Sequence, residues 1–197
     1  MFDQATMNNA KQGARAFRAI LDAMARPGKI CTLPILIDEC EPAFATSLTI
    51  LLALGDHLTS FYLAEEFRRA EIEKQLRFHT GSQLMQEQGR ADFAVLNASG
   101  ADIGLDLWKR GDPEYPDQSA TLIIQSTSLS QGDPVQFSGP GVQSEISVRI
   151  ANIMPSFWKA RAEVNAIAPL GLDLLFVSPH AILGLSLIHI SEPTRPY

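Results

Sequence analysis

Several features that would assign this sequence to a broad class of protein are missing. It has two cysteines, Cys31 and Cys40, which do not form a CxxC pair. Residues 1–12 lack the basic and apolar stretches of a secretory signal. No apolar run is long enough to span a bilayer. We therefore expect a cytoplasmic protein with reduced thiols and no membrane contact.

Positive charge is also scarce. Lysine and arginine number 16 against 22 aspartates and glutamates, which gives a formal net charge of -6 spread along the chain. A nucleic-acid binder would show a clustered basic face, so we expect no nucleic-acid partner. A local cationic pocket for a phosphorylated ligand is still compatible with this charge.

The sequence motifs of common enzyme classes are absent as well. The chain has no GxGxxG loop, no GxxxxGK loop, no HExxH and no GxSxG. His57, His79 and His180 are far apart and share no ligand spacing, so we expect no metal site. None of the five lysines is marked as a desolvated Schiff-base lysine, and we expect no cofactor.

What the sequence does contain is an alternation of predicted helices and strands. Asn8 and Asn9 are taken as N-caps of a first helix that ends at Arg26-Pro27-Gly28. Further helices are predicted over 42–54 and 156–166, and a charged amphipathic stretch over 64–75. Strands are predicted over 29–33, 59–63, 76–80, 93–96, 121–124, 135–137 and 172–177, with 181–183 returning as a hairpin. This pattern predicts an α/β fold with a single domain and a mixed sheet flanked by helices.

The most informative polar cluster lies in residues 76–80, LRFHT, which we expect to be extended. Alternate side chains of a strand share a face, so Arg77 and His79 would point the same way and Phe78 into the core. Together with the hydroxyl of Thr80, they can bind phosphate or phosphonate oxygens. The alternative is a link to a neighbouring carboxylate or a partner subunit, which we weight more heavily because buried polar groups usually serve structure first.

Several segments, in order along the chain, resemble the PhnH family of bacterial phosphonate metabolism. Residues 17–28, FRAILDAMARPG, are similar to the family's opening helix and its Pro-Gly stop. Residues 76–80 resemble its Arg-Phe-His-Thr segment, the most specific of the set. Further similar segments are 52–63, 120–132, 139–142 and 169–174, so the resemblance covers nearly all of the chain up to Gly184.

The resemblance implies a homodimer with a fold like the large domain of pyridoxal-phosphate transferases, without the cofactor lysine. It also implies a subunit without catalytic residues of its own and with no activity alone. With PhnG, PhnI and PhnJ, it would form the carbon–phosphorus lyase core complex, which makes ribose 1-phosphonate 5-triphosphate from a phosphonate and ATP. The alternatives are a stand-alone transferase-like enzyme and a phosphonate- or nucleotide-binding module that uses Arg77 and His79.

The C-terminus has a different origin in our interpretation. Residues 185–195, LSLIHISEPTR, match the in-frame translation of a transposase sequencing adapter. We therefore expect a family domain over 1–184 and a non-native tail over 185–197, in which His189 has no function. We also expect the chain to be less stable than a family member with its own C-terminus, because Ile188 and Ile190 would imitate the last strand only by accident.

Overall fold

The structure is a computed structural model that describes residues 4–38, 40–100, 104–139, 142, 146–167 and 169–193. Within these residues, helices α1 to α4 span Gln4–Ala25, Ala45–Leu54, Ala70–Thr80 and Pro155–Val164. Strands β1 to β10 span Ile30–Thr32, Ser60–Leu63, Gln83–Leu84, Phe93–Asn97, Thr121–Gln125, Pro134–Ser138, Ile146–Arg149, Asp173–Ser178, Ala181–Leu185 and Ile190–Pro193. The predicted α/β class is confirmed.

A mixed sheet of seven strands lies at the centre, in the order β1-β9-β8-β5-β4-β2-β3. Strands β2, β4, β5 and β8 are parallel to their neighbours in this group, whereas β9 is antiparallel to both β8 and β1. Leu122, Ile123 and Ile124 of β5 are fully buried, as expected for a parallel strand covered on both faces. The predicted central strand and the hairpin that returns at Ala181 are confirmed.

Each face of this sheet packs against its own layer. Helices α1, α2 and α3 contribute buried residues such as Ile20, Leu51 and Leu76 to the core on one face. On the other face, α4 lies with a second sheet of three strands, in the order β10-β6-β7. The strand predicted over 135–137 belongs to this second sheet. The expected likeness to the large domain of pyridoxal-phosphate transferases stays a prediction.

Two predictions of local structure are wrong. Helix α1 begins at Gln4, so residues 8 and 9 lie inside it and do not cap it. Residues 76–80 are not extended but form the end of α3. Ile72 and Leu76, four residues apart, are both buried on one helix face, and Gly81 ends the helix with a φ of 72°. Part of the turn at 139–142 lies outside the described residues, because 140 and 141 are among those not described.

Candidate functional site

The predicted site segment lies at the C-terminal end of α3, on the surface. Arg77, Phe78 and His79 are all exposed, and Phe78 has 82% of its surface in solvent. The prediction that Phe78 enters the core is therefore wrong. Since successive helix residues are rotated by about 100°, Arg77 and His79 lie about 200° apart around the helix and do not share a face. The geometry on which the phosphate-binding hypothesis was based is thus lost.

The three predicted site residues have different surroundings. Within the described part of the chain, the guanidinium of Arg77 makes no hydrogen bond or ion pair. The ring of His79 lies edge-on to the ring of Phe78, with 5.1 Å between centroids. The hydroxyl of Thr80 donates to the Leu76 carbonyl at 2.7 Å and accepts from the Ser82 N–H at 3.1 Å. Thr80 therefore stabilises the helix end, and the three residues do not form a cluster.

A groove beside Phe78 separates α3 from the chain that leads from β1 to α2. It has a volume of about 610 Å³, and its lining residues are Ile37, Asp38, Cys40, Glu71, Lys74, Gln75 and Phe78. The four residues from α3 follow one another at spacings of three, one and three, so they form one outward stripe of the helix. This surface, which we call the α3 groove, was not predicted from the sequence.

The carboxyl ends of the parallel strands, where α/β proteins usually bind ligands, are occupied here by protein side chains. Gln125, at the end of β5, is 4% exposed. Its Oε1 accepts from the Phe44 N–H and the Ser47 hydroxyl, each at 2.7 Å, and its Nε2 donates to the Pro42 carbonyl at 3.2 Å. The Gln125 side chain thus binds the N-cap residue Phe44 and the Ser47 hydroxyl at the start of α2, where a phosphate group would meet a helix N-terminus.

At the amino ends of the strands, Asp92 joins three parts of the chain. It forms an ion pair with Lys109, and its Oδ2 accepts from the Ser60 N–H at 2.8 Å and the Ser60 hydroxyl at 2.6 Å. Burial alone would raise the pKa of Asp92, but the hydrogen bonds from Lys109 and Ser60 outweigh it and hold the pKa below its usual value. Because the hydroxyl of Ser60 donates to a carboxylate, this cluster ties strands together and does not activate a nucleophile.

Replacing Asp92 with asparagine should lower the free energy of unfolding by about 2 kcal/mol at pH 7, because charge-assisted hydrogen bonds are lost. The folded-state pKa is lower than the unfolded one, so this stabilisation is complete above the unfolded value of about 3.9 and disappears as the pH falls through the folded value. Urea unfolding of both proteins at pH 7 and at pH 3 measures the difference. Asp133→Asn, at an exposed position, is the control; a difference for Asp92→Asn that persists undiminished at pH 3 would contradict the assignment.

The sequence predicted no metal site, no cofactor and no membrane contact, and the described residues bear on each prediction as follows. Among the described residues, no group of three or more His, Cys, Asp or Glu side chains is placed to hold a metal ion. Lysines 11, 29, 74 and 159 are exposed, and Lys109 is the one that pairs with Asp92. No helix in the described ranges combines the length and apolarity needed to cross a membrane.

A buried arginine binds the C-terminal segment, residues 186–193. The sequence did not indicate its importance. Arg161 of α4 is 2% exposed, and burial lowers its pKa to about 10. Its Nη1 donates to the His189 carbonyl and the Ser191 hydroxyl, both at 3.1 Å, and its Nη2 donates to the Ser186 carbonyl at 2.9 Å. Its Nε has no hydrogen-bond partner among the residues that the structure describes. The one sequence signal that could have indicated burial of Arg161 is its spacing of four residues from Phe157, which puts both on the same face of α4.

Two further side chains bind the same segment through its backbone. Asn165, at the end of α4, donates from Nδ2 to the Leu187 carbonyl at 3.1 Å. Asp173, at the start of β8, accepts from the Leu187 N–H at 2.8 Å. Strand β10 then pairs with β6, from Ile190 opposite Ser138 onwards. The segment is therefore held mainly by contacts to its main chain.

Comparison with known proteins identifies the family. The family described as bacterial phosphonate metabolism protein (PhnH) matches residues 4–186. The alpha-D-ribose 1-methylphosphonate 5-triphosphate synthase subunit PhnH of Rhizobium meliloti (strain 1021) is 31% identical over 169 residues, which cover 86% of this chain and 84% of that protein. A proposed C-P lyase subunit protein, HtxG of Stutzerimonas stutzeri, is 30% identical over 174 residues, covering 86% of this chain and 80% of its own length. This chain belongs to the PhnH family of bacterial phosphonate metabolism proteins.

Proposed function

We propose that this chain is an accessory subunit of the carbon–phosphorus lyase core complex, without catalysis of its own. The proposal is based on the names of two relatives. One is named as a subunit of a ribose 1-methylphosphonate 5-triphosphate synthase, and the other as a proposed subunit of a C-P lyase. Each is matched over at least 80% of its own length. The chain is then needed to make ribose 1-phosphonate 5-triphosphate from a phosphonate and ATP in the cytoplasm.

The chemistry of the described residues favours an accessory role. The position at which a parallel sheet usually binds phosphate is occupied by Gln125, which binds the Phe44 N–H and the Ser47 hydroxyl at the start of α2. Asp92 and Lys109 are paired with each other, and the Ser60 hydroxyl is directed at a carboxylate. A stand-alone transferase would need free groups of these types close to one another.

Apolar side chains on the surface support assembly with other chains. On the outer face of α1, Phe17 and Leu21 are 43% and 52% exposed, and they are four residues apart, so they form one stripe. Ile30, on the edge strand β1, is 48% exposed. Grouped apolar residues of this kind favour contact with protein partners. We propose a homodimer and association with PhnG, PhnI and PhnJ.

Co-expression with the PhnG, PhnI and PhnJ proteins of one source tests the proposal. With the affinity tag on PhnI, we expect this chain to elute in stoichiometric amount, as measured by native mass spectrometry. The isolated chain, incubated with ATP and methylphosphonate, should release no adenine. A free homodimer in the first experiment would contradict the assembly role, and adenine release in the second would contradict the absence of catalysis.

A further inference from the structure

An aromatic side chain projects into solvent beside a cavity. Phe78 is 82% exposed, although it lies in a regular helix whose other face carries the buried residues Ile72 and Leu76. It also forms one wall of the α3 groove. Aromatic residues are enriched at the centres of protein interfaces, where burial of a large rigid ring contributes much of the affinity. Such a ring in water beside a cavity points to an interaction surface.

The chemistry of the α3 groove is that of a peptide site. Ile37, Cys40 and Phe78 provide an apolar lining, while Asp38 and Glu71 carry negative charge and Lys74 carries positive charge. A pocket for a small anion would enclose its ligand and present several hydrogen-bond donors to it. Here the wall formed by Phe78 is mostly in solvent, and the charges of both signs suit a segment that itself carries both signs.

We propose that the α3 groove is the docking site for a protruding segment of a partner subunit, with Phe78 as its anchor. An apolar side chain of the segment enters between Phe78 and Ile37. A carboxylate of the segment faces Lys74, and a basic group faces Glu71. This inference rests on the proposed function, because it names the surface through which the subunit joins the complex.

A second copy of this chain fits the groove less well. In a two-fold contact whose axis passes through the groove, the grooves of the two copies face each other. Two concave surfaces brought together in that way leave both cavities unfilled, and unfilled cavities forfeit packing contacts. A protruding segment of a different chain fills the cavity.

The test uses the complex of the full chain with PhnG, PhnI and PhnJ, with the tag on PhnI. Phe78→Ser is expected to weaken binding roughly thirty-fold or more, as a central interface anchor would. Lys74→Glu should weaken it several-fold through charge reversal. Matched controls lie in the other layer, at α4: Met154→Ser, at a position that is 56% exposed, and Lys159→Glu, also exposed. Both controls should bind like the wild type. Phe78→Ser, Lys74→Glu and Lys159→Glu should keep the wild-type melting temperature, and Met154→Ser, which places a serine at the N-cap of α4, should not lower it.

The outcomes separate this inference from the proposed function. If the wild-type chain forms no complex, the proposed function fails and the inference fails with it. If the wild type binds and Phe78→Ser binds equally well, or if Met154→Ser loses as much affinity, only the inference is overturned. It is likewise overturned if Phe78→Ser converts an isolated dimer into a monomer in light scattering, since the occupant is then a second copy. Binding of ATP or methylphosphonate that Phe78→Ser abolishes in calorimetry would assign the groove to a ligand instead.

Discussion

Arg161→Met is expected to lower the free energy of unfolding by about 3 kcal/mol and to release the C-terminal segment. The substitution keeps a long side chain in a site that is 2% exposed, but removes the donors to Ser186, His189 and Ser191. Two opposing effects decide the size of the change. Burial of the guanidinium is costly, as its lowered pKa of about 10 indicates, so its removal gives some relief. Three acceptors left without donors outweigh that relief.

The C-terminal segment should detach before the whole chain unfolds, because water can reach the freed acceptors once the segment is released. Hydrogen exchange measures this directly: amides of β10 should lose protection, while those of β5 keep theirs. Lys159→Met, two positions away on an exposed face of the same helix, serves as the control and should leave both strands protected. Protection of β10 that is unchanged in Arg161→Met would show that strand pairing with β6 suffices to hold the segment.

The central sheet could be predicted because its strands carry strong local signals. Residues 122–124 are continuously apolar, and Thr121, Ile123 and Ile124 are β-branched, a pattern typical of a strand buried on both faces. The end of α3 lacks such a signal. In residues 76–80, apolar and polar side chains alternate as they do in a strand, and five residues are too few to separate a period of two from one of 3.6. The spacing between Ile72 and Leu76 and the glycine at position 81 decide the matter.

The candidate site was harder to predict than the fold because its contacts are distant in sequence. Gln125 binds the Phe44 N–H, 81 positions earlier, so no local pattern shows that it binds the start of α2. The α3 groove likewise depends on Ile37 and Phe78, 41 positions apart, lining the same cavity. Arg77 and His79 could be singled out from the sequence, whereas Phe78 was assigned to the core. The directions of all three side chains follow from the helix and could not be derived from an assumed strand.

The C-terminal segment orients its side chains against the usual pattern. His189 and Ser191 are buried, at 4% and 3% exposure, while Ile188 is 54% exposed. A strand that covers a core normally directs apolar residues inward and polar ones outward. Both buried polar side chains are hydrogen-bonded: the Ser191 hydroxyl accepts from Arg161, and His189 Nδ1 accepts from the Ser186 N–H. The other bonds from Arg161 go to the backbone, so they do not depend on apolar side chains in the segment. The family match ends at residue 186. We propose that 185–197 is a non-native tail and 1–184 the family domain.

Replacing residues 185–197 with the corresponding C-terminal segment of the Rhizobium meliloti relative should therefore raise the melting temperature. We expect a native segment to place apolar side chains at the positions of His189 and Ser191, which would bury about two methylene groups each. After the loss of the two hydrogen bonds that these side chains make, a net gain of about 2 kcal/mol corresponds to roughly 4–8 °C for a chain of this size. Calorimetry measures the shift. Ile188→Ser, at an exposed position of the same segment, is the control and should change the melting temperature little. An unchanged or lower melting temperature in the chimera, or genomic DNA that encodes LSLIHISEPTR at this position, would show that the segment belongs to the protein.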